Sequence, residues 1–448
     1  MKSSLSFPSL GAPRSARLVV VAAISLLVAV VALVSLRSVS ADTLGKFGIT
    51  PQSRTGKLIE KIAPKAFKAK VAPAAPFATY TVNSLADTNT GSGTSGTLRY
   101  CITQANAAGG ADTINFSVNG TITLTGNLPN ITDSLTINGN GTANTIISGN
   151  NLYRSLNSIQ TDGISVTIQN LKATNGFVAG NGFGGAIDFG SVGGTLTVDN
   201  VELTNGSAGY GGGLNADDGT ILIKNSIIRN NTANTVTGGV WSGLFVTSIS
   251  LVNTLVAGNS GPSGGVFNNG GNLKIYNSTV VGNSSSNGAY AAGVDNNGGT
   301  LILYNSIIAD NSGGDGDCDS FSGHDVKNTL IKNGTCGISH LVNGNLTGDP
   351  ALNPDYTLTS TSDAVGAGNN SLIPSGVTTD LAGNARIQQS VVDLGAYEST
   401  FAGIVPTLGN YPATTMNLAA QTTITPSAAP TSVPRPPKAC SAKPNITE

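Results

Sequence analysis

Three carboxylates in the middle of the chain have the spacing that acid–base catalysis or cation binding requires. Asp188 follows a glycine doublet, and Asp217 and Asp218 follow a similar doublet about one repeat later. If the two segments stack as neighbouring coils, Asp188 and Asp217 lie ~5 to 8 Å apart. A carboxylate pair at that distance can act as general acid and base or hold Ca²⁺ against an acidic sugar polymer. Solvated loop carboxylates are the alternative, and the sequence favours them.

Other elements of a polysaccharide-cleaving site are missing from the sequence. A polygalacturonase-like set requires further Asp residues, a Gly-His-Gly element and an Arg-Lys element. The nearest approach is Gly323-His324-Asp325, which lacks the second glycine and lies far along the chain from the carboxylates. An enzyme therefore stays the second hypothesis, and we predict no catalytic residue beyond these weak candidates.

Neither the histidines nor the acidic loop predicts a metal site. His324 and His340 show no metal-ligand spacing. The run from Asp315 to Asp319 has alternating carboxylates, but Val326 stands where an EF-hand requires its closing Glu. We expect no metal and no cofactor.

Aromatic residues offer a binding function instead. Tyr276 and Tyr304 share one outward column of the repeat described below, and Trp241 and Phe267 match each other one coil apart. Flat rings in a row can stack on sugars, so these four are glycan-stacking candidates. Rings that only cover neighbouring apolar surface are the alternative, which we favour.

A repeat must position all of these residues. Six segments of the form LTVDN end in an Asn and recur at an irregular but similar spacing. Their apolar residues alternate with variable ones, the period of a strand with one buried face. A short amide tolerates a left-handed corner, so we predict an Asn ladder at one corner of each coil. Its members are Asn170, Asn200, Asn225, Asn253, Asn277 and Asn305.

Further columns recur in the same order and complete a coil. Two inward apolar columns begin at Val166 and Ile168, and a glycine doublet precedes an apolar residue once in each coil. A second Asn series is expected at the next bend, namely Asn175, Asn205, Asn230, Asn259, Asn283 and Asn311. The sequence predicts an all-β, single-stranded parallel β-helix, a solenoid with a period of roughly 27 residues.

The ends of the solenoid need cover, because open strand edges pair with other chains. Leu98 to Ala108 is predicted to form a short capping helix. The predicted segments are an N-terminal cap with first coils (79–150), regular coils (151–311), C-terminal coils with a closing segment (312–400) and a Pro/Thr/Ser-rich tail (401–448).

The segment that precedes the cap predicts export. Two arginines precede the apolar run Leu18 to Leu36, so residues 1–41 resemble a signal peptide or, if uncleaved, a membrane anchor. Residues 42–78 form a basic linker with seven Lys and Arg, whereas residues 79–400 carry 9 basic and 21 acidic residues. That acidic body excludes nucleic acid as a partner. We expect an extracellular or cell-surface monomer.

Two end segments carry a family resemblance. The segment GTLRYCITQANAAGGADTINF resembles the N-terminal segment of bacterial surface proteins grouped with polymorphic outer membrane proteins. The segments GDPALNPDYTLTSTSDAVGAGN and VDLGAYE are similar to the choice-of-anchor Q domain. The resemblance spans about residues 79–399 and implies a right-handed parallel β-helix. It brings no catalytic residue.

The resemblance also implies a disulfide between Cys318 and Cys336. An exported chain with four cysteines permits this pairing, and Cys101 and Cys440 are too distant in sequence to be paired by inference. Cys101 is expected to be buried under the cap. The leading hypothesis is an adhesin-like or structural protein that contacts glycans or other surface proteins, and the alternative is a carbohydrate-active enzyme on the same scaffold.

Overall fold

A computed structural model describes residues 77–321 and 323–401. The expected export signal (1–41), nearly all of the basic linker, Cys440 and all but the first residue of the 401–448 tail lie outside these residues. The described chain is a parallel β-solenoid, so the predicted fold class is confirmed. From Asp112 onward its coils are close to the predicted period, with Asp112 opposite Leu135 and Leu135 opposite Val166.

The solenoid contains 28 strands, one α-helix and two 3₁₀ helices within the described residues. They are β1 (Thr79–Ser84), β2 (Gly91–Ser92), β3 (Ser95–Thr97), α1 (Leu98–Ala108), β4 (Asp112–Phe116), β5 (Gly120–Thr123), β6 (Leu135–Asn138), β7 (Thr145–Ser148), β8 (Ser158–Ile159), β9 (Ser165–Thr174), β10 (Ile187–Phe189), β11 (Thr195–Thr204), β12 (Ser207–Ala208), β13 (Leu214–Lys224), β14 (Ile227–Arg229), β15 (Thr232–Ala233), β16 (Val240–Val252), β17 (Leu255–Ala257), β18 (Ser260–Gly261), β19 (Val266–Asn268), β20 (Asn272–Tyr276), β21 (Thr279–Val281), β22 (Ser284–Ser285), β23 (Val294–Asn296), β24 (Leu301–Tyr304), β25 (Ile307–Ala309), β26 (Cys318–Ser320), β27 (His324–Lys327), β28 (Leu330–Ile331), η1 (Val342–Gly344) and η2 (Asn370–Leu372).

The strands stack into three parallel faces. Face A holds the LTVDN strands, from β4 and β6 through β20 and β24 to β27. Face B follows the Asn corner and includes β14, β17, β21 and β25. Face C follows the glycine doublets and consists of β8, β10, the starts of β13 and β16, β19, β23 and β26. Four two-residue strands, β12, β15, β18 and β22, close a corner between faces B and C.

The core is the interior of this stack. The two predicted apolar columns of face A are in register, Val166 with Leu196 and Ile168 with Val198, and continue coil after coil. All of these side chains are buried. Because each coil contributes the same inward positions, the apolar side chains form continuous columns that exclude water.

The six Asn residues of the predicted ladder occupy the corner between faces A and B. Each has a φ between 47° and 57°, the left-handed conformation that asparagine tolerates. The amide of Asn200 donates to Asn170 and that of Asn253 donates to Asn225, both at 2.8 Å. The amide of Asn225 instead donates to Asp199 at 2.8 Å, and that of Asn305 to a C-terminal carbonyl at 3.0 Å.

The second Asn series divides into two sets. Asn175, Asn205 and Asn230 have the left-handed backbone expected at a bend, whereas Asn259, Asn283 and Asn311 lie one position further along their coils. Asn230 has a left-handed φ of 55°, and its counterpart one coil later is Gly258, not Asn259. A buried amide ladder runs one position further on, through Asn231, Asn259, Asn283 and Asn311. Two adjacent asparagines made the register of this bend ambiguous in the sequence.

The N-terminal end is covered as predicted by the helix Leu98–Ala108. The Thr97 side chain accepts a hydrogen bond from the backbone N–H of Tyr100 and caps the helix start. Cys101 points into the core and is fully buried, and burial raises the pKa of its thiol to about 11.

The segment after β28 packs along the outside of the solenoid as well as at its end. Tyr356, Leu381 and Tyr397 pack on face B residues that include Leu255 and Val281. Arg386 is buried, donates through Nε to Glu398 at 2.9 Å, and reaches Asn253 at 3.1 Å. Face B is therefore covered by the chain itself.

Cys318 and Cys336 form a disulfide. Cys318 starts β26, the last strand of face C, so the bridge holds the final coil to the chain that follows it. Both cysteines are buried, so the bridge forms part of the core at this end of the solenoid.

Candidate functional site

The outward side chains of face C form one column with an unusual order of chemistry. Polar residues occupy its two ends and aromatic residues its centre. The column reads Ser158, Asp188, Asn215, Trp241, Phe267, Asp295 and Asp319 in register. With strands ~4.8 Å apart, it is ~29 Å long. Face C is the candidate site.

Asp188 and Asp217 are brought together through Asn215. The strand register places Asn215 opposite Asp188, and Asp217 lies two residues further along the same strand. The Asn215 amide donates to Oδ1 of Asp188 at 2.9 Å and to Oδ2 of Asp217 at 3.0 Å. The sequence predicted that these two carboxylates lie one coil apart, within ~5 to 8 Å of each other. They are joined by a buried amide.

Arg154 is the cation of this cluster. Its Nη2 lies 3.5 Å from Oδ2 of Asp188, which also accepts a hydrogen bond from Ser158 Oγ at 3.0 Å. The same guanidinium donates to the carbonyls of Phe183 and Gly184 at 2.7 and 2.9 Å. Arg154 therefore fixes both the carboxylate and the loop that precedes β10.

Asp217 and Asp218 differ in surroundings. Burial and the nearby carboxylates of Asp188 and Asp218 raise the pKa of Asp217, although the Asn215 hydrogen bond opposes this effect. Asp218 accepts a hydrogen bond from the adjacent backbone N–H of Gly219. The pKa of Asp217 is thus raised, whereas the neighbouring Asp188 carboxylate is paired with the Arg154 guanidinium.

A cluster of three rings, which we term the aromatic ridge, adjoins these carboxylates. The ridge consists of Phe183, Tyr210 and Trp241. Ring centroids lie 5.0 Å apart for the first pair and 5.6 Å apart for the second. Phe183 is 40% exposed, and the other two rings are half-buried. Gly243 permits this arrangement, because a Cβ there would lie 2.7 Å from the Trp241 ring and 3.2 Å from the Asp217 Cα.

Phe267 pairs in register with Trp241, as the sequence predicted, but it does not face solvent. Only 4% of its surface is exposed, and Tyr290 packs edge-on against it with centroids 5.2 Å apart. A buried ring cannot stack on a sugar, so Phe267 supports the site from below and Tyr290 forms its half-exposed surface.

Tyr276 and Tyr304 lie together on face A, away from this site. Their rings meet at 66°, edge to face, with centroids 5.5 Å apart. The Tyr304 hydroxyl donates to Asp325, and Lys327 lies 5.3 Å above its ring. The pair presents an edge and an occupied ring face, which is a poor platform for a sugar.

The far end of face C holds a buried acid. Asp295 is fully buried, its Oδ2 accepts a hydrogen bond from the backbone N–H of Ala291 at 2.8 Å, and its Oδ1 has no partner among the described residues. Burial, with the nearby charges of Asp319 and Asp315, raises the pKa of Asp295 to about 7.

Several residues of the site were absent from the sequence prediction. Phe183, Tyr210 and Tyr290 stand just before the glycine-doublet positions of their coils, so their recurrence could have revealed them. Arg154 carries no such signal, because it belongs to a coil that precedes the first doublet. In the part of the chain described, no three His, Cys, Asp or Glu side chains gather into a possible metal site.

Within residues 77–321 and 323–401, no helix has the length and apolar character to cross a bilayer. No family model matches the chain, and no curated protein matches it either. Among solved structures, the chain is similar to the crystal structure of pectate lyase Pel9A, at 15% identity and a TM-score of 0.36, over 72% of this chain and 98% of that one.

Proposed function

We propose that this chain is an exported protein that binds an extended neutral polysaccharide along face C. The observation that carries the proposal is the aromatic ridge beside Asp188, Asn215 and Asp217. Sugars present apolar C–H faces and polar hydroxyl edges. A site for them combines exposed rings with hydrogen-bonding groups at their border.

The shape of the site favours a polymer over a small molecule. The face C column is ~29 Å long, its aromatic centre lies between polar groups at both ends, and Trp241 and Asp319 are its partly exposed members. Faces A and B offer less, since face B is covered by the C-terminal segment and the face A rings meet edge-on. A chain lying along the stack of coils would contact several of them at once.

The charge of face C selects against acidic polymers. Asp188, Asp218 and Asp319 lie along it, and the Arg154 guanidinium is already paired with Asp188. Like charges across an interface repel and suppress binding. We therefore propose a neutral glycan, and polyuronates and nucleic acids are disfavoured for the same reason.

Export and surface placement belong to the same proposal. They are supported by the apolar run and basic flank of the segment 1–41 and by the resemblance to bacterial surface proteins. A glycan-binding β-solenoid outside the cell would act as an adhesin-like interaction protein, with the C-terminal segment protecting one face.

The test is retention of the purified full chain in gels containing dextran, laminarin, xylan or galactomannan, with polygalacturonate as the acidic comparison. We expect retardation by at least one neutral polymer and none by polygalacturonate. Trp241→Ala should abolish retardation, whereas Tyr276→Ala on face A should not change it. Equal mobility in every gel would contradict the proposal and favour a stalk without a ligand.

A further inference from the structure

We propose that face C also cleaves the glycan it binds, by hydrolysis with retention of anomeric configuration. Asp188 is the nucleophile and Asp217 the general acid and base. This inference rests on the proposed glycan binding and goes beyond it, because it assigns a reaction and two catalytic residues.

The first support is the distance between the carboxylates. Oδ1 of Asp188 and Oδ2 of Asp217 both lie within 3.0 Å of the Asn215 amide nitrogen. They are therefore at most ~6 Å apart, and ~5 Å apart if the two N–H bonds diverge by about 120°. Retaining glycoside hydrolases place their carboxyl groups ~5 to 5.5 Å apart, and inverting ones require ~6.5 to 9.5 Å for a water.

The second support is the division of roles between the two residues. A nucleophile must be ionised, and Asp188 is paired with the Arg154 guanidinium and hydrogen-bonded by Ser158. A general acid must hold its proton, and burial raises the pKa of Asp217 above that of an ordinary aspartate, although the Asn215 hydrogen bond opposes the rise. The cation beside Asp188 and the raised pKa of Asp217 fit the roles of nucleophile and general acid.

The third support points to a ligand. Asn215 is fully buried, and its Oδ1 has no hydrogen-bond partner within the described residues. An unpaired buried acceptor costs about 1 to 3 kcal/mol, so it favours a donor such as a sugar hydroxyl at this point. The Trp241 ring beside Asp217, held against Gly243, supplies the platform on which that sugar stacks.

The reaction needs only the glycan and water. Asp217 gives its proton to the glycosidic oxygen while an Asp188 oxygen attacks the anomeric carbon. The bond from that carbon to the leaving sugar breaks, and a glycosyl ester forms on Asp188. Ionised Asp217 then takes a proton from water, whose oxygen attacks the same carbon. The ester bond breaks, Asp188 leaves as a carboxylate, and Asp217 is protonated again.

The test uses the full chain with each neutral polymer of the binding panel. Reducing ends are measured, and proton NMR identifies the anomer released first. We expect the released anomer to have the configuration of the cleaved bond. Asp188→Asn should lower kcat by ~10³-fold or more, and Asp325→Asn, a carboxylate on face A, should change it by less than about threefold.

A leaving-group experiment separates catalysis by Asp217 from a structural role. Asp217→Asn should lower polymer hydrolysis ~10³-fold, but it should affect the 2,4-dinitrophenyl glycoside of the same sugar far less, because that leaving group departs without a proton. Added azide should restore turnover of that variant and give a glycosyl azide of retained configuration.

Each outcome bears on one claim. Retention of a polymer without release of reducing ends would overturn hydrolysis and leave glycan binding intact. The opposite anomer would overturn the nucleophilic role of Asp188, and equal losses on polymer and aryl glycoside would overturn the role of Asp217. If no polymer is retained, the binding proposal itself is wrong.

Discussion

The side-chain amide of Asn231 donates to Oδ1 of Asn259 at 2.9 Å, and the backbone N–H of Asn231 donates to the same oxygen at 3.0 Å. The Asn259 amide in turn donates to Asn283 and to the carbonyl of Ile228. Every polar atom of this buried side chain is therefore hydrogen-bonded. The ladder ends on Asp317, whose Oδ1 accepts two hydrogen bonds from Asn311 at 2.9 Å.

Replacing one asparagine of this ladder should lower the free energy of unfolding of the solenoid. Asn259→Ala leaves buried donors and acceptors unpaired in the adjacent coils, so we expect the free energy of unfolding to fall by about 2 to 4 kcal/mol. Urea unfolding followed by circular dichroism measures this change.

A surface pair provides the control for that variant. Asn297 donates to Asn269 at 2.9 Å, across the same separation of 28 residues, but it is exposed. Asn297→Ala should change stability by less than about 0.5 kcal/mol. Equal losses for the two variants would contradict the importance of burial in the ladder.

Most features that recur once in every coil were predictable from the sequence, and most features that do not recur were not. The apolar columns beginning at Val166 and Ile168 were predictable, since alternation and the coil repeat both specify them. The buried ladder that begins at Asn231 was not predictable, because Asn230 and Asn231 are adjacent. The sequence alone does not show which of the two takes the left-handed corner and which is buried. The return of the C-terminal segment along face B was also missed, since a non-repeating segment carries no register.

The buried Asp295 should make stability depend on pH in an unusual direction. Its pKa in the folded state is about 7, above the ordinary value of 3.8, so the folded protein disfavours its ionised form. Its contribution is therefore full below about pH 4 and is lost as pH rises through 7, by at most about 4 kcal/mol. Asp295→Asn should match wild type at about pH 3.5 and be more stable at pH 8, by urea unfolding at both values.

The control for this prediction is a carboxylate shifted the opposite way. Hydrogen bonding from the Tyr304 hydroxyl lowers the pKa of Asp325, so its ionised form is favoured in the folded protein. Asp325→Asn should gain no stability at pH 8. If Asp295→Asn shows no gain there either, then Asp295 is not held protonated by burial.

The disulfide should stabilise the last coil. Cys318 and Cys336 close a loop with a sequence separation of 18 residues, for which chain entropy predicts about 3 kcal/mol. The double variant with both cysteines changed to Ser should lose about that much stability in urea. Reductant should lower the stability of wild type in the same way and have no effect on the double variant. A reductant effect on both would point to another bond.

The candidate site was predictable only in part. Asp188 and Asp217 were identified from their type and from the glycine doublets, but the doublets did not give the register between the two strands. The doublet of one coil is followed directly by Leu214, whereas Ala186 intervenes before Ile187 in the previous coil, so the strands are offset by one. That offset puts Asn215 between the carboxylates. Arg154 and the aromatic ridge come from loops whose lengths vary, and only the folded stack brings them together.

One substitution at Gly243 can test whether the aromatic ridge binds the glycan. A methyl group at this position would lie 2.7 Å from the Trp241 ring, so Gly243→Ala must displace the ring from its place beside Asp217. Trp241 is the chain's single tryptophan, so its fluorescence reports this movement directly. We expect a shifted emission maximum and a threefold to tenfold weaker retention. This change in affinity corresponds to roughly the binding energy of one aromatic contact.

The matched control is Gly323→Ala, because a Cβ there meets no atom within 4 Å. It should leave both emission and retention unchanged. Titrating the retained polymer into wild type should also change Trp241 emission with the same midpoint as gel retention, since both report occupancy of one site. A Gly243→Ala protein with shifted emission and full retention would show that the ring is not part of the binding surface. The glycan contacts would then have to be sought at Tyr290 and the far end of face C.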